Sequence, residues 1–198
     1  MTQVRASPAS AGVTFAVRIQ PFQLFPELDA PGAQSRYLYE RNPAGSDARR
    51  ASEEQLQSLA AELGLPPLRL NDGEAGGTFH AHRLIQHFQA ARGEEAARRL
   101  ADALFRKHLC EGRRPAADDV LAEACAEAGI DAGEAAAAVR DNEMGAERCR
   151  REIRAAGADI EVVPVVVVEG RRRDITLRGA KGVEQYVAAL ETVIKEST

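Results

Sequence analysis

The run Val162 to Val168, VVPVVVV, constrains this chain more than any other stretch. It is the one apolar, β-branched run in the sequence and turn residues bound it, so it reads as a buried strand. Its length is too small for a membrane span and short for a helix. Glu169, Gly170 and Arg171 to Arg173 suit an exposed turn, after which Asp174 to Leu177, DITL, returns as an antiparallel partner. Pro164 interrupts the apolar run. It has no N–H to give to a ladder, so the paired part of the strand is expected to begin after it.

The chain approaches this hairpin through helices. Residues 1–12, MTQVRASPASAG, are small and polar without periodicity and predict a loose N-terminus. Val13 to Gln20 alternates around Phe15, Val17 and Ile19 as a strand does, and Pro21 marks its exit. Ser35 to Arg41 predicts a short helix, stopped by Asn42, Pro43 and Gly45. From Ser52, a capping residue with Gln55 as its partner, Leu56, Leu59, Ala60 and Leu63 share one helical face that ends at Gly64. A further helix starts after Thr78, turns Ala81, Leu84, Ile85 and Phe88 inward, and closes at Gly93.

Glu94 to Cys110 has the clearest helical period, through Ala97, Leu100, Ala101, Leu104, Phe105 and His108, with Gly112 after it. Asp118 to Ala128 repeats the pattern through Val120, Leu121, Ala124 and Cys125. Asp131 and Glu134 begin an alanine-rich helix, and Glu143 to Ala156 supplies another. After the hairpin, Val183, Tyr186, Val187, Leu190, Val193 and Ile194 form the stripe of a last amphipathic helix, suited to covering one sheet face.

Charge and cysteine usage narrow the function classes. The 26 basic and 30 acidic residues give a net charge of −4 with no clustered basic face, so nucleic acid is not the expected partner. No stretch has the apolar length of a membrane helix, and residues 1–12 lack the apolar segment of a secretory signal. Cys110, Cys125 and Cys149 are odd in number and widely spaced, as free thiols of a reducing compartment are. A cytoplasmic protein with neither membrane nor nucleic acid as partner is the expectation.

Other candidate residues carry less. His80, His82 and His87 lie close together, but the spacing of His80 and His82 sends them to different faces and H-E-x-x-H is missing, so no metal is expected. His108 lies on an apolar face, where a hydrogen-bonded core histidine is the ordinary reading. Arg171 to Arg173 read as a solvated hairpin tip. Glycine-rich phosphate loops and nucleophile elbows are missing from the sequence, and no cofactor is expected.

The strand followed by PFQLFP, the GTFHAHRL helix start, the stretch LFRKHLCEGRRPAADDVLAEACAEAGID and the VVPVVVVEG hairpin leading to RGAKGVEQY resemble the DsbA-like branch of the thioredoxin superfamily. That branch also holds 2-hydroxychromene-2-carboxylate isomerases and kappa-class glutathione transferases. The resemblance runs from Phe15 to the last helix. It implies an α/β chain with an incomplete thioredoxin-like fold: one domain over 13–198, with a large helical insertion at about 31–158 between the strand 13–20 and the hairpin-helix unit 160–196. Pro164 matches the proline that in this superfamily is cis and lies beside the active site. By the same resemblance Val163 and Pro164 line a substrate groove that takes an extended peptide or a glutathione-like thiol.

One departure governs the expected chemistry. Disulfide-exchanging members resemble one another in an opening strand and a Cys-x-x-Cys helix, and this sequence contains no C-x-x-C. Such a pair works because a helix N-terminus stabilises the thiolate and the second sulfur resolves the mixed disulfide. Cys110 instead lies near the end of a predicted helix, and Cys125 and Cys149 lie within helices. The resemblance therefore implies an oxidoreductase scaffold of the thiol-disulfide type with no catalytic residue, redox-inactive as written. The absent strand would lie centrally, and strands about 4.8 Å apart exchange hydrogen bonds, so its loss leaves edges open. Three outcomes follow: a truncated ancestral enzyme, which is the favoured expectation; a non-catalytic binding or assembly module whose open edge takes a partner strand or a second copy as a homodimer; or direct pairing of Val13 to Gln20 with the hairpin.

Overall fold

The computed structural model describes Val4 and residues 10–29, 46–69, 76–157 and 160–197. The chain divides into two compact units. Arg18–Gly157 forms one, and Met1–Val17 together with Ala158–Thr198 forms the other.

The first unit is helical. A 3₁₀ turn at Pro26–Asp29 precedes α1 (Ser46–Glu62), α2 (Phe79–Arg92), α3 (Glu94–Leu109), α4 (Asp118–Glu127), α5 (Ala132–Arg140) and α6 (Ala146–Gly157). Consecutive helices from α2 to α5 pack on one another and α6 returns against α2. Their apolar stripes meet in one core in which Leu84, Phe88, Ala97, Leu100, Val120, Leu121, Ala124, Cys125 and Ala138 are almost wholly removed from water. Burial of these faces, not helix propensity alone, holds such short helices together.

The helix ends follow local chemistry. Gly93 takes φ +87° and separates α2 from α3, a conformation costly for a residue with a Cβ. The Asp131 carboxylate accepts from the amides of Gly133 and Glu134 at 2.9 and 3.1 Å, capping α5 as its sequence predicts. The start of α2 differs from expectation. Thr78 occupies the cap position without a side-chain cap bond, and the Phe79 amide donates to Asp29 Oδ1 at 3.2 Å. A Cβ at Gly77 would fall 1.7 Å from that same Asp29 oxygen, so glycine is required for the carboxylate to reach the helix.

Several sequence readings are corrected. Val13 to Gln20 is not a strand: no ladder is assigned to it, and the only sheet among the described residues has two strands, so direct pairing with the hairpin does not occur there. The reason is visible at Ile19. Its amide donates to Gln89 Oε1 at 2.8 Å, and its carbonyl accepts from Gln86 Nε2 at 2.8 Å and Gln89 Nε2 at 3.0 Å. Side-chain amides of α2 thus satisfy backbone groups that a neighbouring strand would otherwise take. Helix α1 starts at Ser46, not Ser52, because nothing between them breaks a helix. Leu56, Leu59 and Leu63 are exposed, Leu63 at 74%, and Phe105 at 64% stands outside the core it was expected to join. Phe105 lies one residue, about 100° of helix turn, from buried Leu104, at the margin of the stripe. The expected helix at Ser35 to Arg41 lies outside the described residues.

The second unit contains the hairpin. Strand β1 (Val165–Val168) pairs antiparallel with β2 (Ile175–Arg178) in the register Val165↔Arg178 to Val168↔Ile175. α7 (Val183–Ser197) packs on both strands. Burial alternates along β2, with Ile175 and Leu177 half-buried and Thr176 and Arg178 exposed, the pattern of a sheet covered on one face. The turn demands glycine at 170. A Cβ there would lie 2.6 Å from the Arg173 carbonyl oxygen and 2.8 Å from Val193 Cγ1. Arg173 leaves the tip to pair with Glu196 of α7 at 2.6 Å.

Candidate functional site

The sequence places its two site residues, Val163 and Pro164, at the entry to β1, and the hairpin hydrogen bonds decide what they present. The Val163–Pro164 peptide bond is cis. The Gly179 amide donates to the Pro164 carbonyl at 2.8 Å, so Pro164 and Gly179 form a hydrogen-bonded pair that continues the β1–β2 register. Antiparallel pairs alternate between bonded and non-bonded. Val166 and Val168 therefore spend their backbone groups on β2, while those of Val165 and Val167 point to the opposite side. Val163 precedes the cis bond and lies in a bend ahead of the paired strand. Among the described residues no hydrogen bond reaches its backbone, and its side chain is 37% exposed. The outward main-chain groups of Val165 and Val167 are thus joined at the entry to β1 by the unbonded backbone of Val163.

The sequence holds no C-x-x-C pair. Cys110 follows α3 directly at its C-cap, with its Sγ 3.9 Å from the Pro66 carbonyl oxygen. Cys125 and Cys149 are fully buried on α4 and α6, and burial pushes both thiols up to about 11. A thiol with that pKa is almost wholly protonated near neutral pH and is a poor nucleophile. The three cysteines are unpaired and none has a neighbour at C-x-x-C spacing.

The residue sequence reasoning missed is Arg83. It lies on α2 among the inward-facing Ala81, Leu84 and Ile85 and is fully buried. Its Nη1 donates to the carbonyls of Ala138, Asp141 and Met144 at 2.9, 3.1 and 3.0 Å, and its Nε donates to His80 Nδ1 at 3.3 Å. Ala138 and Asp141 lie at the C-terminal end of α5, whose carbonyls carry the negative end of the helix dipole, and Met144 lies in the connection to α6. Arg83 is therefore a clamp across α2, α5 and α6. Its charge also opposes the upward push on both buried thiols, though burial outweighs it. A charged residue inside the apolar positions of a helix was the available signal in the sequence.

The histidines do not form a metal centre. Burial lowers the pKa of His80, His82 and His87, and His82 also bonds the Phe22 backbone. Among the described residues no group of three or more His, Cys, Asp or Glu side chains converges as a metal-binding set. His108 Nδ1 donates to the Arg113 carbonyl at 3.0 Å, holding the turn after α3. No described helix is long and apolar enough to cross a membrane.

The order of elements, with a long helical block ahead of a β-hairpin and a covering helix, agrees with the match of a family model. The model for the DSBA-like thioredoxin domain matches residues 3–191, nearly the whole chain. The chain belongs to the DSBA-like thioredoxin-domain family. Its fold is a DsbA-like thioredoxin fold carrying a helical insertion, as the resemblance implies. The crystal structure of a probable DsbA oxidoreductase from Streptomyces coelicolor is similar, with a TM-score of 0.80 and 29% sequence identity over 100% of this chain and 82% of that one. No curated protein matches. This DsbA-like chain carries the hairpin and the insertion with no C-x-x-C in its sequence.

Proposed function

We propose that these 198 residues act as a DsbA-type scaffold without dithiol chemistry, binding an extended peptide or a glutathione-like compound at the β1 entry through main-chain hydrogen bonds. The observations that carry this reading are an unbonded backbone at Val163 and, for two of the three thiols, Cys125 and Cys149, burial that pushes them up to about 11. An extended ligand added to a sheet edge draws its affinity from such backbone groups and its selectivity from the side chains beside them. Val163, Val165 and Val167 supply the groups and Pro164 sets their start. A catalyst of thiol-disulfide exchange needs a thiolate within reach of this edge, and nothing in the sequence supplies a pair of them. Three unpaired thiols suit a reducing cytoplasm.

Isotope-edited NMR tests the reading. Titration with glutathione, and separately with an unstructured valine-rich peptide, is expected to shift the amides of Val163, Val165 and Val167 while leaving those of α3 and α4 in place. Shifts confined to the helical unit, or none, would overturn it.

A second reading is favoured by the hairpin itself. Two strands of four residues make a small sheet, and isolated two-stranded sheets are marginal in water. An assembly module whose β1 edge accepts another strand would extend that sheet.

A further inference from the structure

We propose that His80 is a two-position pH switch inside the helical unit: the neutral ring completes the Arg83 clamp, and the imidazolium leaves Arg83 for the carboxylates of Asp29 and Asp118.

The hydrogen bond defines the first position. Arg83 Nε lies 3.3 Å from His80 Nδ1, and a guanidinium can only donate, so Nδ1 must offer a lone pair. The proton of the neutral ring is then on Nε2. In this state the ring steadies the guanidinium whose Nη1 serves Ala138, Asp141 and Met144. A proton taken up from solvent goes to Nδ1, the one basic nitrogen left. Donor then faces donor, and two positive charges stand at hydrogen-bond distance.

Unequal freedom decides which of the two moves. Arg83 is fully buried, with Nη1 held on three carbonyls. His80 is half-buried in the first turn of α2, beside the Phe79 ring. The imidazolium is therefore the group that turns away. The charges facing it supply its second position: Asp29 from the 3₁₀ turn and Asp118 from the first turn of α4 favour the charged ring, whereas Arg83 and Arg150 of α6 oppose it. Burial, with Arg83 second, holds the His80 pKa below 6.5, so the neutral position is the resting one at neutral pH.

Asp29 already has work in the neutral state. Its Oδ1 accepts from the Phe79 amide at 3.2 Å and its Oδ2 accepts from Gln23 Nε2. An imidazolium drawing on this carboxylate competes with the bond that starts α2. One protonation thus loosens two links of α2, to the α5–α6 connection through Arg83 and to the turn Pro26–Asp29 through the cap.

Side-chain and amide NMR of the full chain from about pH 7.5 to 4.5 tests this. At the upper end His80 is expected as the Nε2–H tautomer. As pH falls, the Arg83 Nε resonance is expected to shift with the His80 midpoint, and hydrogen-exchange protection of the Phe79 amide to drop with it by roughly threefold or more. His80→Phe keeps a ring and removes the proton site, so both changes should vanish. Should that variant misfold, Asp118→Asn at an exposed position is expected to lower the His80 midpoint by removing a charge that favours the imidazolium. An Nδ1–H tautomer at neutral pH, a ring that stays neutral throughout, or an Arg83 resonance that is flat across the His80 titration would overturn the proposal. So would an Arg83 shift that survives in His80→Phe and therefore follows His87, whose charge also acts on Arg83.

Discussion

Arg83 Nη1 donates to the Ala138 carbonyl at 2.9 Å, joining the middle of α2 to the last turn of α5. The same nitrogen serves Asp141 and Met144, so one guanidinium nitrogen closes the end of a helix and the turn into the next. Arg83→Met is expected to destabilise the protein by about 2–4 kcal/mol, since it removes the donor of the buried Ala138 carbonyl and a donor from each of the Asp141 and Met144 carbonyls. Arg83→Lys should recover only part of this, because an ammonium lacks the planar fork that spans Ala138 and His80 at once. Urea unfolding of both variants measures the difference.

Gln86 and Gln89 hold the extended segment through Ile19. Replacing both with alanine is expected to cost about 2 kcal/mol and to free the chain around Arg18, which is exposed. Trypsin cleavage after Arg18 should accelerate in the double variant. An unchanged cleavage rate would mean that the segment is held by something else.

Acid should loosen the helical unit. Burial depresses the pKa of His80, His82 and His87, so the unfolded chain takes up protons more readily than the folded one. Their contribution to stability is present above the unfolded value near 6.5 and is lost as pH falls through the lower folded values. Asp29 and Asp118 face His80, Asp29 faces His82 and Glu134 faces His87, which moderates the effect, whereas Arg83 beside His80 and His87 and Arg150 beside His80 add to it. Urea midpoints are expected to fall between pH 7.5 and 5, and His82→Gln, which keeps a donor for the Phe22 carbonyl, should flatten the slope.

Much of this architecture was legible in the sequence. The helical periods of Ala97 to Leu104 and Val120 to Cys125 placed the core, and the valine run with its glycine and arginine turn placed the hairpin. Asp131 could be read as a cap because its partners lie two and three residues on. The misreadings at the start of α2, at Val13 to Gln20 and at Arg83 share a cause: each depended on a partner distant in sequence. Asp29 caps a helix fifty residues away, and Ile19 resembles a strand residue whose bonds go to glutamine side chains instead. Arg83 was passed over since a charge at an apolar position looks like an exception until the carbonyls it meets are known. The outward direction of Val165 and Val167 needed the Gly179 to Pro164 bond, which no residue pattern specifies.

The claim that this chain keeps the DsbA-type scaffold without its redox centre is tested most directly by insulin reduction with dithiothreitol as electron donor. The turbidity lag with the purified chain is expected to equal that of dithiothreitol alone, and replacing Cys110, Cys125 and Cys149 with serine should leave it there. A lag shortened in proportion to protein concentration, whether or not it survives those replacements, would contradict the account.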